Sequence, residues 1–129
     1  MEIKSVAMYE QALNFRARRN EVLASNIANA DTPNYKSRDM DFREALKGAQ
    51  SGSISMKKTS ELHQNTWNSQ GVNANLKYRV PTQPTLDGNT VETDVEQAAF
   101  AENAVQYRAS LAFLDGHLKT LKFALKGGD

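Results

Sequence analysis

The sequence predicts a mainly α protein. Long N- and C-terminal helices pair as a coiled coil, with a short helix and a small β-hairpin or loop region between them. Three observations predict this. Near the C-terminus, apolar residues recur at alternating intervals of four and three for more than three heptads. A second helical stripe fills the first thirty residues and stops at a Thr-Pro pair. The segment between them is rich in Gly, Ser, Asn and Gln and poor in large apolar side chains.

The arithmetic of composition agrees. At 129 residues the chain makes one domain or less. Leu 11, Val 7, Phe 5 and Ile 3 total 26, about a fifth of the chain, at the edge of a disordered composition. The high net charge that accompanies disorder is missing, because 16 basic residues face 15 acidic ones. Seven of the 26 fall in residues 1–31, eight in 32–86 and eleven in 87–129, so the ends carry the apolar material. Such ends must meet each other or those of a neighbour.

The N-terminal unit, 1–31, is read as a helix over 3–29. Val6, Tyr9, Leu13, Leu23 and Ile27 are its coiled-coil and assembly residues, with Ala17 and Ala24 on the same stripe. Arg16, Arg18 and Arg19 sit mid-helix within reach of Glu10 and Glu21, a solvated face. The middle unit, 32–92, opens with a short helix over 41–47, capped by Asp41, with Glu44 at the capping-box position and Gly48 as terminator. Loops are expected over 50–53 and 65–75. Leu76, Tyr78 and Val80 alternate with Lys77 and Arg79, a strand pattern that Pro81 and Pro84 confine to an edge. Asp87-Gly88 is a turn signal, placing a hairpin around 76–91. The C-terminal unit, 93–129, carries Phe100, Ala104, Tyr107, Leu111, Leu114, Leu118, Leu121 and Leu125 as one seam. Thr93 or Asp94 is the expected cap, with Glu96 or Gln97 at the third position, and Gly127-Gly128 ends the helix.

The same residues exclude most chemistry. No apolar run approaches the ~20 residues of a membrane span. There is no Cys, hence no disulfide or thiolate metal site, which suits a cytosolic chain and one exported unfolded equally. Of the two histidines, His63 lies in a polar stretch without a second ligand, and His117 reads as a solvent-facing helical residue. A calcium loop after Asp87 fails, since Val91, Glu92 and Ala98 occupy positions that need a ligand, a glycine and a closing Glu. Lys57-Lys58 is an isolated pair, and Trp67 reads as the anchor of a small interface. No catalytic, cofactor or metal site and no nucleic-acid footprint is expected, nor direct membrane insertion.

One stretch carries more. Residues 25–36 contain Ser25, Asn26, Ile27, Ala28 and Asn29, then Thr32-Pro33 and Tyr35-Lys36. This resembles the N-terminal motif of the bacterial flagellar rod, hook and hook-filament junction family. Asp31, Asp41-Phe42, and Asp87 through Val91 leading to Asp94, Glu96, Asn103 and Tyr107 resemble its proximal-rod members most. The resemblance implies terminal helices forming the coiled-coil inner domain of a helical tube. It implies copies of the chain and other rod proteins as partners, together with a basal-body adaptor and the type III export gate. It also implies a place in the rod within the cell envelope, reached without a cleaved signal peptide. About 55 residues between the terminal segments leave no room for the larger β-rich insert of distal rod and hook subunits. Asn26 and Asn29, one turn apart, read either as caps for the helix end or as groups at subunit contacts. The competing reading of the whole chain is a soluble coiled-coil adaptor or export chaperone in the cytosol, which leaves the 25–36 motif unexplained.

Overall fold

The computed structural model describes residues 2–50 and 76–127. The elements in order are α1 (Glu2–Ala28), β1 (Arg38–Met40), α2 (Phe42–Gln50), β2 (Leu76–Tyr78) and α3 (Thr93–Leu125). The loop expected over 65–75, together with His63, Trp67 and Lys57-Lys58, lies outside the described residues; of 50–53, Gln50 belongs to α2 and the rest lies outside.

The two long helices lie side by side and antiparallel. Ser5 meets His117, Arg16 meets Gln106, and Asn26 meets Glu96. At ~1.5 Å per residue, the 33 residues of α3 make a rod of roughly 50 Å. α2 and β1 pack on one flank of α1. There Phe15 and Met40 are buried against Val22, Phe42 and Ala45, and the Phe15 and Phe42 rings meet edge to face at 5.2 Å. The Arg16 guanidinium covers the other part of the Phe42 ring, 5.0 Å from its centroid.

α1 ends at Ala28, four residues before Thr32 and so ahead of the position that Pro33 bars from helical geometry. Asp41 caps α2 as expected, accepting from the Arg43 N–H at 2.8 Å. Gly48 does not terminate that helix, which runs through it to Gln50. Glycine stops a helix by turning left-handed, and in a helical backbone it is only tolerated.

The expected strand is present over Leu76–Tyr78, but the hairpin around 76–91 is not how it pairs. β2 pairs antiparallel with β1, Met40 opposite Leu76 and Arg38 opposite Tyr78. Asp87-Gly88 makes a turn without a returning strand: Gly88 has φ 72°, and its N–H donates to the Thr85 carbonyl at 3.3 Å. The chain is drawn instead to the end of α1, where the Thr90 N–H donates to the Tyr35 carbonyl at 3.0 Å.

The start of α3 also departs from expectation. Its N-cap residue is Glu92, in extended geometry and with no side-chain cap bond. The Glu92 carboxylate accepts from the Thr82 N–H at 2.6 Å and hydroxyl at 2.8 Å instead. Neither Thr93 nor Asp94 caps the helix, and Glu96 is buried.

The largest difference concerns the seam. Phe100, Ala104, Leu114 and Leu121 are half-buried. Tyr107 remains 37%, Leu111 48%, Leu118 47% and Leu125 87% exposed. The face that α3 turns to α1 is centred on Glu96, Asn103, Gln106, Ser110, Leu114, His117 and Leu121, a more polar line. On α1, Val6, Tyr9, Leu13 and Ile27 are half-buried and Leu23 is fully buried, while Ala17 and Ala24 stay exposed. The apolar stripes are thus turned partly out of the contact within the chain. His117, read as solvent-facing, is half-buried: it hydrogen-bonds Ser5 Oγ through Nε2 at 2.8 Å, and its ring lies 6.1 Å from Tyr9.

Candidate functional site

The motif residues converge on a polar knot at the meeting point of α1, the β-pair and the start of α3. Asn26 is its hub and is fully buried. Its Nδ2 donates to the Arg38 carbonyl at 2.6 Å and to Glu96 Oε2 at 3.0 Å. Its Oδ1 accepts from the Arg38 N–H at 3.1 Å and from the Tyr35 hydroxyl at 3.3 Å. One side-chain amide therefore ties the end of a helix to the next strand through both backbone groups of Arg38, with its own oxygen and nitrogen both paired.

The end of α1 is closed from a distance. Asn89 is buried, and its Nδ2 lies 2.9, 2.8 and 2.8 Å from the carbonyl oxygens of Asn29, Ala30 and Thr32. These carbonyls belong to the turn that follows α1, where the Asn29 and Thr32 oxygens also accept from the Thr32 and Tyr35 N–H groups. Asn89 Oδ1 accepts from the Val91 N–H at 2.8 Å, which fixes the amide's orientation. Asn29 turns back to the Ser25 carbonyl at 2.8 Å and accepts from the Thr32 hydroxyl at 3.1 Å. Lys36 Nζ donates to the Gly88 carbonyl, and the Asn34 N–H to the Asp87 carbonyl at 2.9 Å. Ser37 is fully buried between Thr90 and Arg79.

A charged layer underlies the knot. Arg19 holds Asp39 with two bonds, Nε to Oδ1 at 2.9 Å and Nη2 to Oδ2 at 3.1 Å. Arg79 Nη2 reaches Asp39 Oδ2 at 2.8 Å. Arg79 Nε lies 3.0 Å from Glu96 Oε1, close enough for charge attraction but off hydrogen-bond alignment. Two cations and two carboxylates thus alternate across four segments of chain. Burial would by itself push the Asp39 carboxyl up. The Arg19 bonds, the Met40 N–H and the Arg79 charge outweigh it and hold Asp39 below the usual carboxylate range. The Asp39 hydrogen bond holds the Arg19 guanidinium above its ordinary value.

Of the motif residues, Ser25, Ala28, Thr32, Pro33 and Lys36 are exposed; Ile27, Asn29 and Tyr35 are half-buried. The structure brings Ser25, Asn26, Asn29, Thr32, Tyr35 and Lys36 into one network. Sequence reasoning missed Arg19, Ser37, Asp39, Arg79, Asn89 and Asn103 as partners. Asn103 carried a signal, since it stands beside the seam residue Ala104, between Phe100 and Tyr107. It is fully buried and donates to the Arg16 carbonyl at 2.8 Å.

The arrangement holds backbone segments together and shows no reacting geometry. The Ser5–His117 pair has the spacing of a nucleophile and base. The nearest carboxylate in sequence, Asp115, pairs with Lys119 at 2.7 Å rather than orienting the imidazole. Among the described residues no group of three or more His, Asp or Glu is placed to hold a metal ion. No helix among them is long and apolar enough to cross a membrane.

Comparison with known proteins follows the same residues. The family described as "Flagella basal body rod protein" matches residues 9–36, most of α1 and the turn that Asn26 organises. The flagellar basal body rod protein FlgB of Escherichia coli (strain K12) is 45% identical over 126 residues, 93% of this chain and 91% of that protein. FlgB of Salmonella typhimurium is 43% identical over the same share of each chain. FlgB of Cereibacter sphaeroides is 42% identical over 95% of this chain and 94% of that protein. With such identity running through both helices, the knot and the segment between them, the chain belongs to the FlgB family of flagellar basal body rod proteins.

Proposed function

We propose that this rod subunit forms part of the proximal rod, polymerising helically with copies of itself and with other rod proteins to transmit motor torque. The observation that carries this is the apolar surface of α3. Tyr107, Leu111, Leu118 and Leu125 lie outside the contact with α1, although a helix in a self-sufficient protein would bury them. A subunit whose core is completed by neighbours leaves such a surface open. The short segment between β1 and α3 supports the proximal position, since it leaves no room for a large outer domain. The absence of cysteine suits passage through a type III export gate in an unfolded state, without a cleaved signal peptide, to the rod in the cell envelope. A basal-body adaptor is the expected neighbour at the base. The chain acts as a structural protein and not as an enzyme.

Fractionation tests the reading. The protein is expected to co-purify with isolated basal bodies, and a purely cytosolic pool would overturn it in favour of the adaptor. Leu114→Asp, at the border between the α1 contact and the open ridge, is expected to abolish rod assembly and motility. Normal rods in that strain would contradict the assembly role of α3.

A further inference from the structure

α3 bears a second apolar face, on the far side from α1, and an unexplained glycine stands at its centre. Val105 is 66%, Phe113 64% and Phe123 62% exposed, with exposed Ala109 and Ala112 between them. At about 100° per residue, Val105, Ala109, Ala112, Gly116 and Phe123 fall on one line along the helix. A Cβ added at Gly116 would meet nothing within 4 Å. Nothing inside the chain requires glycine there, and glycine weakens a helix interior. Its use is explained if another backbone approaches closely at that turn.

The same chain offers the complement. Leu111, Leu118 and Leu125 stand seven residues apart and form a ridge beside the α1 contact. Because α1 and α3 run antiparallel, their turned-out stripes fall on the same side of the pair, opposite α2 and the sheet. The Ser5–His117 and Arg16–Gln106 pairs set the ridge beside the first half of α1, where half-buried Val6 and exposed Glu10 lie. Large side chains stand on one face, and small ones bracketed by Val105 and Phe123 on the other. Charges complement as well: exposed Glu10 borders the first surface on α1, and exposed Arg108, Lys122 and Lys126 lie between the two faces on α3.

We propose that the Gly116 face of α3 receives the Leu111–Leu118–Leu125 ridge of a second copy of this chain. The contact joins two different surfaces, so it is heterologous and does not close on itself, and repetition gives an open helical array. It rests on the rod-subunit reading above and adds which face meets which.

The chain has no cysteine, so introduced thiols report without background. In basal bodies isolated from cells making the full chain with Ala112→Cys and Leu118→Cys together, mild oxidation is expected to yield disulfide-linked dimers and longer species of this chain. Each single-cysteine variant is expected to give none. Dimers from either single variant would indicate like faces meeting, and no product from the double variant would indicate a partner of another kind; both overturn the proposal. Gly116→Leu supplies a second arm. It is expected to leave the helical circular dichroism of the purified chain unchanged and to abolish motility. Normal motility with Gly116→Leu would overturn the proposal while leaving the rod-subunit reading intact, because co-purification of the parent chain with basal bodies tests that reading separately.

Discussion

Two glycines show how differently single residues serve this molecule. Gly88 is held at φ 72°, and a Cβ there would stand 2.5 Å from Asn34 Oδ1. Asn34 is itself left-handed, at φ 61°. In the turn that delivers Asn89 to the end of α1, any side chain placed at position 88 is therefore strained and displaces the Asn34 amide. Gly88→Ala is expected to lower stability by about 1–3 kcal/mol, from left-handed strain and the clash with Asn34. Denaturant titration of the purified chain checks this. Gly116 is the opposite case, helical and unobstructed. Gly116→Ala is expected to raise stability by about 0.5–1 kcal/mol in the same titration, as an exposed helix interior allows. A loss on Gly116→Ala would mean that the glycine serves the chain's own fold and not a neighbour. The Asn26 amide belongs with Gly88: the motif is legible as letters, but its main partners, Arg38 and Glu96, lie 12 and 70 residues away. Local spacing announces that an asparagine is unusual in a helix stripe, not what it binds.

At the scale of elements, α1, the β-pair and the start of α3 are joined by charge where apolar contacts are few. Asp39 on β1 takes two guanidinium groups, Arg19 from α1 and Arg79 just after β2. Asp39→Asn is expected to cost about 1.5–3 kcal/mol at neutral pH, the worth of hydrogen bonds to a charged group. The pH dependence follows from the sign of the shift. The folded carboxyl lies below its ordinary value of 3.8, so its contribution is complete above that value and disappears as pH falls through the lower, folded value. The stability gap between parent and Asp39→Asn is therefore expected to narrow only in strong acid. A gap constant from pH 6 down to about pH 2 would show that the carboxylate's charge does not do this. The elements themselves were readable, because helical periodicity, Asp41 capping and the Thr32-Pro33 stop are local. Their pairings were less so. The strand at Leu76–Tyr78 was evident, yet its partner was Arg38–Met40 and not a segment beyond Asp87-Gly88, since register in a sheet depends on residues distant in sequence. The α3 seam failed for another reason. Periodicity shows that a face is destined for burial, not whether the chain or a neighbour buries it. Glu96 and Asn103 occupy the inner line because α1 presents the Asn26 amide and the Arg16 carbonyl to them.

At the scale of the molecule, stability is distributed unevenly along the helix pair. Among the described residues, Phe15, Leu23 and Met40 are the buried apolar side chains, and all lie toward the knot or the α2 flank. The opposite end is held by Ser5, Tyr9 and His117, polar or half-exposed contacts that withhold little apolar surface from water. Burial stabilises by roughly 25 cal/mol per Å² of apolar surface, so the knot end outlasts the other when the chain is alone. Most of a helix's stability in a protein comes from tertiary packing of its apolar face. Hydrogen exchange on the purified monomer is therefore expected to show a gradient. Amides near Leu23, Asn26, Arg38 and Asn103 should exchange slowest, and protection should fall toward the start of α1 and the end of α3. Incorporation into the rod should raise protection most across 105–125, where the exposed ridge and the Gly116 face gain neighbours. Uniformly strong protection over 5–30 and 95–125 in a verified monomer would contradict this, because it would mean the pair is complete without other copies. A monomer so completed would have no physical reason to carry Leu111, Leu118, Phe113 and Phe123 on its surface.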